Sequence, residues 1–467
     1  MNVTFTSYGA AECVAGSRHL LTVNDYKLLV DIGYEHSHLP EPLGFDSASL
    51  DALVLTHGHA DHVGRLYELV YQGFCGPIYT HPATKDICRV QLEEELIISM
   101  FRKGKRVKQH QIDRAKQEIE KIVDRITPIP YGQKQVLTQS LTRTTLDAGH
   151  LIGSEQELFT VDNITIGCGG DLGRTDAEIP FTRKPEQLPK NLDFYVLEGT
   201  YGTKVHTRTR SFSDELIDWI QLAHSRGGKL VFPTFSIQRA QHMLIYLFHL
   251  YEQKKIPKID IVFDSPSAEK VNKIVLKHIN CLDVLTQKLF TNATHNPFRF
   301  SALKYTRNTQ ESIALGSRKT PAVIITSSGM CNGGRVENYL AKIIQDKRNV
   351  LVLTGYQAQG TKGSYLANGA HEIRVKGKKV YVNATIGKVH GFSGHSDCQE
   401  SIKHLKSSND PNKGEDFAGI FLVHGEKQNL CDLKQMLNSV GFRNVVVAEK
   451  GKTYNLYEMY QKFHKLI

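Results

Sequence analysis

Apolar positions along this 467-residue chain fall in short runs at 3–7, 26–31, 52–56, 164–168 and 194–197. Each run has the length of a strand and falls short of a buried helix. Between the third and fourth lies a polar stretch, about 84–125, whose pattern predicts one long helix. Its middle, FRKGKRVK at 101–108, is a basic run broken by Gly104. Such a run reads as a solvated helix face or a helix junction, with nucleic-acid contact as the functional alternative.

From about 203 the pattern changes to regular alternation of helix and strand. SFSDELIDWIQLAHSRGG starts with a serine cap, keeps helical spacing and ends in glycines, and KLVFPTF then reads as a strand. The alternation continues through IQRAQHMLIYLFHLYEQKK, KIDIVFDSP, AEKVNKIVLKHI, PAVIITSSGMCNGGRVENYLAKII and NVLVLTGYQ. This predicts a parallel sheet flanked by helices, with its binding edge at the carboxyl ends of the strands. After about 375 short strands return in KVYVNATIGKV and GIFLVHGE. A block of one texture flanked by two of another predicts an insertion into a discontinuous domain, with segments 1–202, 203–368 and 369–467.

Composition adds limits. Lysine and arginine number 58 against 48 aspartates and glutamates, a net charge of +10. That excess suits a polyanionic partner without requiring one. The eight cysteines are scattered with no C-x-x-C pair, which predicts free thiols rather than a disulfide framework or zinc ribbon. No run is apolar enough to span a bilayer, and MNVTFTSYGAAECV has no basic segment leading into an apolar one. A soluble cytoplasmic protein that binds no membrane is therefore expected.

The chemistry concentrates in THGHADHVGR, where the apolar run at 53–55 ends. Side chains two apart on extended chain point the same way, so His57 and His59 can converge on one point while Asp61 and His62 serve a second. Imidazole and carboxylate are zinc ligands, and an open zinc site lowers the pKa of bound water towards ~7. The His-x-His of His36 and His38 has no Asp-His pair behind it and reads as a surface loop. Two zinc shells need more ligands, and His150 in DAGHLIGS and Asp171 in GGDLGR stand beside glycines at strand ends. His395 in FSGHSD and His424 in LVHGE are further isolated histidines at strand ends.

Taken in order, Asp31 in LLVDIG, the histidine run, His150 and Asp171 resemble the successive motifs of the metallo-β-lactamase fold. Glu198 in LEGTYG, His395 and His424 resemble motifs A, B and C of its β-CASP branch, which includes the nuclease subunit of the cleavage and polyadenylation factor with bacterial and archaeal relatives. GAAECVAGS, DSPSAEK, SSGMCNGGR and GYQAQGTKG extend the resemblance over nearly the whole chain. It implies an αββα sandwich interrupted by an inserted β-CASP domain with a parallel sheet. It also implies two zinc ions, one held by His57, His59 and His150, the other by Asp61, His62 and His424, with Asp171 bridging. Asp31 would steady the ligand loop, and Glu198 would orient His395 as general acid, beside Asp61 at the catalytic centre.

The β-CASP insertion resembles a lid over a groove that admits a polynucleotide, and histidine at motif C resembles the members acting on RNA. The implied activity is a zinc-dependent ribonuclease on single-stranded RNA, endonuclease or 5′ exonuclease, with a homodimer as the implied assembly. A DNA nuclease, a dizinc hydrolase of small esters or phosphodiesters, and a non-catalytic RNA-binding scaffold are the competing readings; a scaffold would have lost ligands. Arg239, Arg335 and the amides of Ser328 and Gly329 are candidate phosphate contacts at a helix N-terminus. The chain departs from the family pattern at Gly199, where serine is common and little effect is expected, and at Ser364, often arginine, where a basic contact is missing.

Overall fold

The computed structural model describes residues 1–35, 41–102, 107–190, 192–206, 210–408 and 417–466, and divides into two compact units. The first comprises Met1–Thr175, Thr182–Val205 and Gly394–Ile467. Two seven-stranded sheets form its centre. One runs in the order Thr453–Asn455, Val3–Gly9, Arg18–Val23, Tyr26–Val30, Ala52–Val54, Ile78–Thr80, Ile126–Pro128. The other runs Val445–Val447, Gly419–Val423, Phe194–Glu198, Ile164–Cys168, Glu155–Val161, Leu141–Asp147, Gln135–Val136.

Alternation along the strands decides what each face covers. Val3, Phe5, Leu21 and Val54 of the first sheet share one buried cluster with Phe159, Ile166, Phe194 and Phe421 of the second, so the sheets pack face to face. The opposite face of the first sheet, with Leu29, Leu53 and Ile78, is covered by Leu66, Leu69, Leu92 and Ile122 from helices. The opposite face of the second, with Tyr195, Leu197 and Leu422, is covered by Leu405, Leu430, Leu433 and Leu437. The result is the helix–sheet–sheet–helix layering expected above.

The second unit, Asp176–Phe181 with His206–Ser393, is built on an entirely parallel six-stranded sheet. Its order is Leu303–Tyr305, Asp260–Asp264, Ala322–Thr326, Lys229–Pro233, Val350–Leu353, Thr385–Lys388. The helix Phe212–Ser225 begins as its sequence predicts, with Ser211 accepting a hydrogen bond from the Asp214 amide. This unit runs past the expected boundary at 368 because the strand Thr385–Lys388 pairs with Val350–Leu353, so its ladder belongs to the parallel sheet. It also takes in 176–181, where His242 Nε2 reaches the Ile179 carbonyl at 2.7 Å.

Two other expectations meet a different outcome. The helical pattern at 84–125 is two helices, Pro82–Arg102 and Gln109–Asp124, and at the start of the second Gln111 Oε1 accepts the Lys108 amide at 2.9 Å. The strands Leu141–Asp147 and Glu155–Val161 form no continuous apolar run, because Arg143, Thr145, Glu155 and Glu157 are buried within them. Arg143 forms a two-pronged ion pair with Glu157 at 2.6 and 2.7 Å. Such a pair satisfies charge where hydrophobic matter would otherwise sit.

Candidate metal centre

Asp31, just past the strand Tyr26–Val30, has the left-handed φ of 62° and is buried. Its Oδ1 accepts the Thr56 amide at 2.8 Å and its Oδ2 accepts the Thr56 hydroxyl at 2.8 Å. Oδ2 also lies 2.7 Å from His62 Nδ1. A carboxylate can only accept, so His62 carries its proton on Nδ1 and turns Nε2 toward Asp171. Asp31 thus fixes both the start of the THGHADH loop and the tautomer of one of its histidines.

The loop is held from the other side by GAAECVAGS. Ser17 donates its amide to the Asp61 carbonyl and accepts from Gly33, each at 2.8 Å, while His424 donates its amide to the Ala10 carbonyl at 2.6 Å. The backbone approach is close: a Cβ on Gly33 would stand 1.6 Å from the Asp61 carbonyl oxygen. That is why glycine follows Asp31-Ile32, a requirement of packing rather than of an unusual φ.

His57, His59, His150 and Asp171 converge so that one ligand atom from each lies within 4.8 Å of the others, and Asp61, His62 and His424 form a second such group. Within the first, His59 Nδ1 is 3.2 Å from His57 Nε2 and 3.3 Å from His150 Nε2. Asp171 faces both groups. Its Oδ2 is 3.5 Å from His57 Nε2 and 3.7 Å from His150 Nε2, and its Oδ1 is 3.4 Å from His62 Nε2. His424 Nε2 stands 3.4 Å from Asp61 Oδ2.

Burial makes these groups costly as they stand. Both Asp171 oxygens, His62 Nε2 and His424 Nε2 are buried without hydrogen-bond partners among the described residues. Against burial, which would raise it, His424, His62, His395 and His57 hold the Asp171 carboxyl well below the usual carboxylate range. Burial holds His57 well below its ordinary value and His59 down to about 4, favouring the neutral imidazole a cation requires. Buried carboxylate oxygens and ring nitrogens lacking donors are the donor set of a cation site. The residues fit a metal.

Glu198 closes the strand Phe194–Glu198, and its Oε1 accepts the Leu172 amide at 2.7 Å. His395 places Nδ1 2.9 Å from Glu198 Oε2. Burial opposes charge on this ring, yet Glu198 and Asp171 push its pKa up to about 9. At Gly199 an added Cβ would meet leucine side chains, with Leu430 Cδ2 nearest at 2.3 Å, and no backbone. Thr200 went unnoticed in the sequence although it stands two residues past Glu198; its hydroxyl reaches both Glu198 and His424.

The remaining candidates lie in the second unit. Arg335 donates to the buried Asp264 at 3.0 Å and to the Asn308 carbonyl at 2.8 Å. Arg239 donates to the Phe392 carbonyl at 3.1 Å and stacks on the Phe392 ring. Ser328 and Gly329 precede the helix Val336–Ile343 by several residues, in a turn where the Cys331 amide bonds to Ser328. Ser364 sits in the first turn of Lys362–Ala367, its amide capped by Thr361 at 3.1 Å. His36 and His38 lie outside the described residues, as do residues 103–106 of the basic run. All eight cysteines are free thiols, and no helix among the described residues is long and apolar enough to cross a membrane.

Known proteins carry the same layout. Residues 240–366 match the family model of the Beta-Casp domain, 379–448 that of the Zn-dependent metallo-hydrolase RNA specificity domain, and 1–179 that of the anti-Pycsar protein Apyc1. The ribonuclease TTHA0252 of Thermus thermophilus is 32% identical over 95% of this chain and 98% of its own length. The transcription termination factor FttA of Methanocaldococcus jannaschii is 28% identical, over 91% of this chain and 67% of its own. The endoribonuclease ysh1 of Schizosaccharomyces pombe is 27% identical, over 93% of this chain and 56% of its own. A crystal structure of a protein of unknown function from Enterococcus faecalis shares the fold with a TM-score of 0.54 at 13% identity, over 97% of this chain and 100% of that one. With a relative this similar along its full length, a matching Beta-Casp domain and the layered sandwich around a histidine-aspartate cluster, the chain belongs to the β-CASP family of metallo-β-lactamase-fold proteins.

Proposed function

We propose that this protein is a dizinc ribonuclease that hydrolyses phosphodiester bonds in single-stranded RNA. The observation that carries the reading is the junction of two ligand groups through Asp171, with the Glu198–His395 pair beside it. His57, His59 and His150 would hold one zinc, Asp61, His62 and His424 the other, and Asp171 both. Zinc held there supplies positive charge against phosphate oxygens and a nucleophile available at neutral pH.

The chain's own residues supply the rest. Departure of a ribose oxygen needs a proton, because an alkoxide is a strong base. His395 holds Nδ1–H against Glu198, which leaves Nε2 to carry and deliver that proton. Glu198 keeps the ring oriented, since its own oxygens are anchored by Leu172 and Thr200. RNA is supported as substrate by the ribonuclease relatives and by the matched RNA specificity domain.

The test is degradation of a 5′-labelled single-stranded RNA beside its DNA equivalent, using zinc-loaded wild type and His395→Ala. Metal-dependent loss of RNA alone, slowed by the substitution by about 10²–10⁴-fold, is expected. Labelled internal fragments identify an endonuclease and labelled mononucleotide a 5′ exonuclease. Intact RNA with both zinc positions filled would refute the proposal.

A further inference from the structure

The hydroxyl of Thr200 stands where the two halves of the site meet. It hydrogen-bonds to Glu198 Oε2, and its oxygen lies 3.0 Å from His424 Nδ1 and 3.2 Å from the His424 carbonyl. A threonine has one proton and three neighbours compete for it, so the donor arithmetic has one favourable solution. The carboxylate of Glu198 accepts only, and a bond to a charged acceptor is about twice as strong as a neutral one, so the proton goes to Glu198. Thr200 Oγ1 must then act as acceptor toward His424 Nδ1; two lone pairs facing each other at that distance would repel.

We infer that Thr200 is a positioning residue that dictates the tautomer of His424, holding the proton on Nδ1 so that the lone pair of Nε2 faces the metal centre. His424 has the left-handed φ of 51° and follows the strand Gly419–Val423, and its Nδ1 lies closer to Thr200 Oγ1, at 3.0 Å, than to Asp171 Oδ1, at 3.6 Å. Its Nε2 is buried, lacks a hydrogen-bond partner among the described residues and points at Asp61. Asp31 does the same for His62 through Nδ1. The difference is that Thr200 also donates to Glu198, so one hydroxyl joins the metal ligand His424 to the carboxylate that orients His395.

The inference rests on the dizinc reading, and metal binding separates the two. Zinc affinity is measured by chelator competition, and Co²⁺ absorption records the ligand field, on wild type, Thr200→Val and Thr200→Ser. Thr200→Val keeps the shape and removes the hydroxyl; Thr200→Ser keeps the hydroxyl. Loss of an orienting partner of this kind costs about 10–100-fold in metal affinity. The expected result is that loss at one of the two zinc positions in Thr200→Val with an altered cobalt spectrum, and wild-type behaviour in Thr200→Ser. Should Thr200→Val not fold, Thr200→Ala with its folding checked by circular dichroism takes its place. Wild-type affinity and spectrum in the hydroxyl-free variant would overturn the role of Thr200 alone; a wild-type protein that binds no zinc would overturn the dizinc reading as well.

Discussion

Gly33 gives the sharpest prediction. A Cβ there would lie 1.6 Å from the Asp61 carbonyl oxygen, 2.3 Å from its carbon and 2.7 Å from the Ser17 amide. Ordinary contact begins at 3.4 Å, so Gly33→Ala forces the segments apart by 3.4 − 1.6 = 1.8 Å. All three atoms belong to backbone, so no side chain can swing away. Bonds that tie these segments together include Ile32 to His62, Tyr34 to Ala60 and Ser17 to Asp61, each at 2.8 Å. Stretched by that amount they are lost, and three backbone pairs at about 1–3 kcal/mol apiece give roughly 3–9 kcal/mol. Asp61 and His62 sit on the displaced segment, and misplacement by about 1 Å costs on the order of 10²-fold in rate. Urea titration of the metal-free protein reads the stability, and zinc per chain reads the site. A Gly33→Ala protein with the wild-type midpoint and full zinc content would refute the reasoning.

Three further outcomes are expected. His404 is half-buried against Gln156 at 2.8 Å, and desolvation holds its pKa down to about 4 from the ordinary 6.5. In that window the unfolded chain binds a proton the folded chain does not, so stability falls as pH falls; between pH 7 and 5 wild type should lose about 2 kcal/mol more than His404→Gln in urea titrations. Gly387→Ala would press a methyl onto the ring of Trp219, 2.7 Å away, and should cost about 1–3 kcal/mol, seen as an earlier transition in the fluorescence of this sole tryptophan. Removing zinc with a chelator should lower the melting temperature, since ligand at 1,000 times its Kd contributes about 4 kcal/mol; an unchanged melting curve would count against a filled site.

Much of this molecule can be read from its sequence because ligand chemistry is local. His57, His59, Asp61 and His62 crowd into one strand-end loop, and His150, Asp171 and His424 each follow a strand beside a glycine. What escaped reading depends on partners distant in sequence. Arg143 and Glu157 look like surface charges until the antiparallel ladder pairs their strands and buries both. Thr200 carries no signal of its own, because its importance comes from His424, 224 positions away. The end of the second unit lies beyond 368 because Thr385–Lys388, which reads as one of several short strands, joins the parallel sheet through its ladder alone.

The strand Gly419–Val423 lies in parallel register beside Phe194–Glu198, with Val423 opposite Glu198, 423 − 198 = 225 positions earlier. During synthesis, six of the seven clustered candidate ligands emerge from the ribosome long before His424, which follows that strand. At about 5–20 residues per second the nascent chain spends many seconds with an incomplete second ligand group. The chain is made beside messenger RNA, and the order of its strands leaves the candidate metal centre incomplete until the returning segment has been translated.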